Sequence, residues 1–233
     1  MKLYSFTYNL FQEQTYVAAG DGGRCAVVDP GFCGDAERQD FFGHLESEHL
    51  VPEAVLLTHG HFDHIFGVAA LQEKFGIPVY MNEADRKILD DPEASLGRLW
   101  ERLPERSFRI TPVRDSDVIE SAGLKFEAIA TPGHTPGGIC WLMRDEKTMF
   151  SGDTLFAGAI GRTDLKYGEY DDEIRSIMEK LMPLDGDIRI YPGHGPASSI
   201  ADERTGNPFL EPFNEPEEDY DPDRPPIIIH PES

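Results

Sequence analysis

An α/β fold of two β-sheets packed on each other, with helices outside, is what this sequence predicts, and three observations lead there. Each half of the chain gives several strand-type stretches followed by helix-type ones. In each half the histidines and aspartates suited to metals fall at the ends of strand-type stretches. The length, 233 residues of which 39% are hydrophobic, suffices for one large domain or two small ones with a substantial core. Layers of sheet and helix around such a core are the architecture this grammar favours.

Taken in order, LYSFTYNL and QTYVAAG read as strands, GDGGR as a tight turn, and CAVVDPG as a short buried strand closed by a Pro-Gly break. From Asp35, DAERQDFFGHLESEHL carries Phe41, Phe42, Leu45 and His49 at helical spacing. AVLLTH is an apolar strand that stops at histidines, and DHIFGVAALQEKFG follows as a helix with Ile65, Val68, Ala69 and Phe75 on one face. IPVYMN is a strand and EADRKILDD a helix. In the second half RITPV and DVIE flank a turn, and LKFEAIATPGHTPGG runs a strand into a loop. ICWLMR and TMFSGDTLF form a hairpin across DEK. DDEIRSIMEKLMPL places Ile174, Ile177, Met178 and Leu181 on one helical face, and DIRIYPGHG is a final strand into a histidine loop.

After Asn207 the character changes. The stretch EPFNEPEEDYDPDRPPIIIHPES holds six prolines, eight acidic residues and one arginine, a composition that reads as an extended or disordered tail. Within it, Ile227–Ile229 could dock on the body or pair with a sheet edge. The whole chain carries a formal charge of -22, from 43 acidic against 21 basic residues. That field repels phosphate backbones, so no nucleic-acid partner is expected. No run approaches the roughly 18 apolar residues of a membrane span, and the N-terminus lacks a signal-peptide core, so a cytoplasmic location without membrane contact is expected. Cys25, Cys33 and Cys140 form no CxxC and read as reduced thiols.

The chemistry concentrates in LLTHGHFDHIFG, where His59, His61, Asp63 and His64 fall within six positions just after an apolar run. Packing gives no reason for that clustering, whereas metal coordination does. TPGHTPGG adds His134, SGDTLF adds Asp153 and YPGHGP adds His194, each at or just past a strand. Glycines beside the histidines (Gly60, Gly133, Gly193 and Gly195) allow tight turns and a close approach to one point. Imidazole with carboxylate suits zinc first, with iron or manganese compatible, and does not suit calcium. Seven ligands exceed one tetrahedral ion and suit two divalent ions sharing a carboxylate, with an open position for water. A hydroxide held between such ions serves as the nucleophile, and no GxSxG is present to offer an alternative.

THGHFDH, the GH at 134, GDTLF around Asp153 and PGHG around His194 together resemble the metallo-β-lactamase superfamily, in its motif order and spacing, over roughly residues 3 to 210. Within it, GDTLFAGAIGRTDL and PGHGPASSIADERTGNPF look most like the glyoxalase II-like (hydroxyacylglutathione hydrolase-like) metallohydrolases. The resemblance implies a four-layer αββα sandwich of two mixed β-sheets flanked by helices, with a dinuclear site in a groove at one edge. It implies one hydrolase domain over residues 1–210 and leaves residues 211–233 as the acidic, proline-rich tail. His59, His61 and His134 match ligands of a first metal, Asp63, His64 and His194 those of a second, and Asp153 the bridging carboxylate. Asp63 and Asp153 are thereby catalytic as well as metal-binding. The implied reaction is hydrolysis of a small acyl thioester through a metal-bridging hydroxide.

One departure bears on the substrate. Glyoxalase II enzymes carry a helical C-terminal region whose basic residues grip glutathione, and here only Arg224 is basic after Pro208. Arg162, Lys166, Tyr167 and Tyr170, in the segment after Asp153, are candidates to line the substrate groove, with a salt-bridged surface loop as the plainer role. Two other readings stand beside thioester hydrolysis: a mononuclear iron sulfur (persulfide) dioxygenase, and a non-catalytic metal-binding scaffold whose tail recruits a partner.

Overall fold

The structure, a computed structural model, describes residues 1–91, 94 and 108–211. The tail expected over 211–233, with its three isoleucines, lies outside the described residues after position 211.

The first sheet runs β1 (Lys2–Tyr8), β2 (Glu13–Ala19), β3 (Arg24–Val28), β4 (Val51–Leu56), β5 (Val79–Asn82) and β6 (Ile110–Val113), adjacent in that order. β1, β2 and β3 pair antiparallel, whereas β3 to β6 are parallel. The crossovers between the parallel strands carry α1 (Gly34–Ser47), α2 (Val68–Phe75) and α3 (Arg86–Asp90). The second sheet contains β7 (Val118–Ser121), β8 (Leu124–Ala130), β9 (Ile139–Met143) and β10 (Thr148–Gly152) as an antiparallel meander. The two-residue β11 (Leu155–Phe156) and β12 (Ala159–Ile160) make a small hairpin, followed by α4 (Tyr170–Ser176). β13 (Arg189–Pro192) then adds parallel to β10, and β14 (Ser198–Ser199) closes the edge before α5 (Ile200–Gly206).

Alternation along the strands explains the layering. In β2, Tyr16 and Ala18 face the other sheet while Val17 and Ala19 face the helices. β9 does the same, with Ile139, Trp141 and Met143 between the sheets and Cys140 and Leu142 turned to the helical side. Every residue of β9 and β10 is buried, as expected of strands covered on both faces. Phe41, Leu45, Val68 and Leu71 cover the first sheet, and Ile174, Ile177, Leu181 and Ile200 the second. The result is the expected αββα sandwich of two mixed sheets.

Three local expectations are corrected and one is extended. The helix expected from Asp63 begins only at Val68, because residues 62–64 close a single 3₁₀ turn and the amide of Gly67 bonds to the carbonyl of Pro30 at 2.7 Å. His49 is not on the buried face of α1. It lies past the helix end in a left-handed conformation (φ 54°), exposed, and Leu50 fills that place instead. RITPV and DVIE do flank a turn, but the turn carries the chain from one sheet to the other. DIRIYPGHG is not the final strand, since β14 and α5 follow. The signal for α5 was present as Ser199, three residues before Asp202, whose hydroxyl accepts from the Asp202 amide at 3.1 Å.

Candidate metal centre

Strand direction assembles the site. β3, β4 and β5 are parallel neighbours, so the segments after them reach the same edge of the first sheet. Those segments carry Asp29, the HGHFDH run and Asp85. β8, β10 and β13 point the same way in the second sheet and are followed by His134, Asp153 and His194. Ligand sites in sheets containing parallel strands form beyond the carboxyl ends of those strands, and here two such edges meet.

All seven predicted ligands come together. His59, His61 and His134 form one group and Asp63, His64 and His194 another, with the ligand atoms of each within 4.8 Å of one another. The Asp153 carboxylate lies between them. Its Oδ2 is 3.6 Å from His134 Nε2 and 3.5 Å from His194 Nε2, and its Oδ1 is 3.5 Å from His64 Nε2. His61 Nδ1 faces His134 Nε2 at 2.9 Å. The 3₁₀ turn at 62–64 matters for this, because it lets residues 61, 63 and 64 all reach the cluster. Gly193 is required by the same crowding, since a Cβ there would sit 2.3 Å from Asp153 Oδ1. Gly133, at φ 154°, would carry a Cβ 2.2 Å from Glu173 Oε2.

The donor set fits divalent metal ions. His59 Nε2, His64 Nε2 and Asp153 Oδ1 are buried and lack any hydrogen-bond partner in the protein, an arrangement that costs free energy unless something else binds them. Meanwhile the far sides of four of the five rings are occupied, His61 being the exception, with Nδ1 toward His134 and Nε2 buried without a partner. His134 Nδ1 lies 2.7 Å from the carbonyl of Arg162, and His194 Nδ1 lies 3.0 Å from that of Phe11. His64 Nδ1 lies 3.0 Å from Asp29 Oδ2, and His59 Nδ1 lies 3.0 Å from Thr58 Oγ1. Such partners fix each tautomer so that Nε2 keeps its lone pair toward the cluster.

The electrostatics of the metal-free protein divide along the same line. Burial and the neighbouring imidazoles push His59 and His61 well below the ordinary histidine range, so they stay neutral and ready to ligate. At His64 burial opposes the charge, but the carboxylates of Asp63, Asp153 and Asp29 overcome it and raise its pKa. Burial likewise disfavours the charged Asp63, yet His64 and His194 hold its pKa below the ordinary range.

Three buried carboxylates that sequence reasoning missed hold the ligand loops. Asp29 accepts from the Thr58 amide at 2.7 Å and the Thr58 hydroxyl at 2.5 Å, besides facing His64. Asp85 accepts from the amides of Gly60 (2.9 Å) and Gly137 (2.5 Å) and the Thr135 hydroxyl (2.8 Å), clamping the His59–His61 turn to the His134 loop. Burial pushes its pKa up to about 6. Glu173, on α4, accepts from the amide of His134 at 2.7 Å, and burial pushes it up to about 8. Only Asp29 had a signal to find, its position at the end of a strand beside the histidine strand.

A cavity of about 390 Å³ opens onto the cluster, lined by His61, Asp63, His134, Asp153 and His194 and by largely apolar side chains around them. Of the four residues expected to line the groove, Arg162 does so, while holding Asp164 through two bonds of 2.7 and 2.8 Å. Lys166 and Tyr167 turn instead to Asp91, at 2.5 and 3.1 Å, and Tyr170 stands half exposed at the start of α4. None of these three lines the cavity. Side-chain length could not reveal this, because the chain reverses at Tyr167 (φ 74°) and directs both side chains away.

The profile of the Metallo-beta-lactamase superfamily matches residues 8–194. The chain belongs to that superfamily. It is 37% identical over 206 residues to hydroxyacylglutathione hydrolase GloC of Haemophilus influenzae, covering 86% of this chain and 93% of that protein. Among solved structures it is similar to the BLEG-1 B3 metallo-beta-lactamase, at TM-score 0.82 and 36% identity, covering 90% of this chain and 99% of that one. It is also similar to TTHA1623 in a di-iron-bound form, at TM-score 0.78 and 30% identity, over 89% and 100% of the two chains. Metallo-hydrolases make up the superfamily's general character, and the His and Asp clusters here agree with it. Among the described residues no helix is long and apolar enough to cross a membrane.

Proposed function

We propose that the protein is a dinuclear metal-dependent hydrolase of small acyl thioesters. The observation that carries this reading is the Asp153 carboxylate placed between two separate ligand triads at the floor of an open cavity. His59, His61 and His134 would hold one ion, Asp63, His64 and His194 the other, and Asp153 both. When bound, the two ions would supply Lewis acidity toward the carbonyl and a water ionised near neutral pH. A purely structural site would be closed by its four ligands, whereas this cluster faces a cavity.

The chain's own residues contribute orientation and charge. Asp29 fixes His64, Asp85 joins the two loops that bear His59, His61 and His134, and Glu173 anchors the His134 backbone. Asp63, whose pKa His64 and His194 hold below the ordinary range, would bring negative charge toward the second ion. The thioester class is supported by the likeness to a hydroxyacylglutathione hydrolase. Zinc is the first choice for this donor set, and iron or manganese are compatible with it.

The test is thioester hydrolysis by purified protein of measured metal content, with S-lactoylglutathione and shorter thioesters in one panel. Turnover should rise with bound metal, and Asp153→Ala should lose the second ion and most of the activity. Fully metallated protein that hydrolyses no thioester, or an Asp153→Ala variant with unchanged metal content and rate, overturns the reading. Oxygen consumption on a persulfide would then point to the iron dioxygenase.

A further inference from the structure

We propose that the cavity beside the cluster receives an uncharged hydrocarbon acyl chain, so that the preferred thioesters are apolar at the acyl end rather than recognised through anionic groups. This rests on the hydrolase reading and names its substrate class. Above the metal-type residues, the wall consists of Phe11, Phe62, Phe156, Ile160 and Leu165. Phe62 is buried and meets Phe11 edge to face at 5.0 Å, so that part of the wall is preformed. Phe156 and Ile160 project from the small β11–β12 hairpin, and Leu165 from the loop after it. These last three side chains and Phe11 are only partly buried, leaving apolar surface facing the cavity.

Charge points the same way. Arg162 is the one cation lining this cavity among the described residues, and its guanidinium is held by Asp164 in a two-point contact. The chain as a whole carries -22. A substrate recognised by carboxylates or phosphates would find, among the described residues, no cation on this wall but the Asp164-held Arg162, and an unfavourable field around it. An apolar chain would gain by leaving water against aromatic and aliphatic side chains, the usual lining of a small-molecule pocket. The polar groups that fix orientation are then those of the metal cluster itself, where the scissile carbonyl must lie.

The experiment uses the full chain loaded with metal and thioesters of one small uncharged thiol, N-acetylcysteamine, bearing acetyl, butyryl or hexanoyl groups. The expected result is a kcat/KM that rises from acetyl to hexanoyl by at least about tenfold. Leu165→Glu should collapse the hexanoyl-to-acetyl ratio, because it puts a charge where the chain would lie. A flat or falling series, or S-lactoylglutathione preferred over hexanoyl, overturns the proposal while leaving the hydrolase reading intact. If no thioester is hydrolysed, that reading fails first, and calorimetry with the non-hydrolysable S-hexyl thioether of the same thiol decides the cavity's chemistry. Binding at least about tenfold weaker in Leu165→Glu would support the apolar site, and equal binding or none by the wild type would overturn it.

Discussion

Asp29→Asn is the substitution that tests how the cluster is held, because it preserves shape while removing the carboxylate's charge and turning one acceptor into a donor. The Asp29 side chain is 2% exposed and accepts from the Thr58 amide and hydroxyl while facing His64 Nδ1 at 3.0 Å. An asparagine can place its amide nitrogen in only two ways. Turned toward His64, it obliges Nδ1 to accept, so the imidazole proton moves to Nε2, the atom that faces Asp63 and Asp153. Turned the other way, it sets two donors against each other at the Thr58 amide, a buried mismatch of about 1–3 kcal/mol. Loss of such a partner behind a ligating histidine weakens metal binding by about 10–100-fold, or about 1.4–2.8 kcal/mol. Because the Thr58 hydroxyl also faces His59 Nδ1, the other triad should weaken too, but less. Competition against a chelator, titrated through both binding steps, measures this directly, with thermal unfolding of the metal-free variant as the control for folding. Two ions bound at wild-type affinity by a folded Asp29→Asn protein would refute the argument that this carboxylate sets the tautomer.

Three further outcomes are expected. Glu173 has its pKa raised to about 8 by burial, so between the unfolded carboxyl value and about pH 8 the native state holds a proton that the unfolded state has lost. Metal-free protein should therefore lose stability as pH rises from about 4.5 to 8, and Glu173→Gln should flatten that slope in denaturant melts. Trp141 lies fully buried between the sheets and donates through Nε1 to the carbonyl of Leu57 at 3.0 Å. Trp141→Phe should cost about 1–3 kcal/mol of unfolding free energy, since it strands that carbonyl and leaves a void. Cys25 and Cys140 are buried, with thiols pushed up to about 12, whereas Cys33 is exposed. A thiol reagent at pH 8 should label one cysteine in the native protein and three in denaturant.

What the sequence by itself determined is local. THGHFDH carries its meaning within a few residues, because three imidazoles and a carboxylate so close together leave packing no motive. The strands of β9 and β10 were legible for the same reason, their apolar runs and the DEK turn being short-range signals. So was the layered architecture, from the alternation of strand and helix patterns. The tertiary structure decided whatever depends on which strand ends meet. Asp85 and Glu173 are single carboxylates with no pattern around them, and their roles arise only because the fold brings them beneath the ligand loops, Asp85 through the parallel register of β4 and β5 and Glu173 through the placing of α4. The same holds for substrate contacts: Lys166 and Tyr167 follow Asp153 closely in the chain, yet a left-handed residue sends them to Asp91, while Phe11 arrives from the far end of the sequence. Ligand identity is a property of side-chain chemistry and short spacing, so it survives in one dimension. The wall of a cavity is a property of distance in space, which sheet register sets and spacing along the chain does not record.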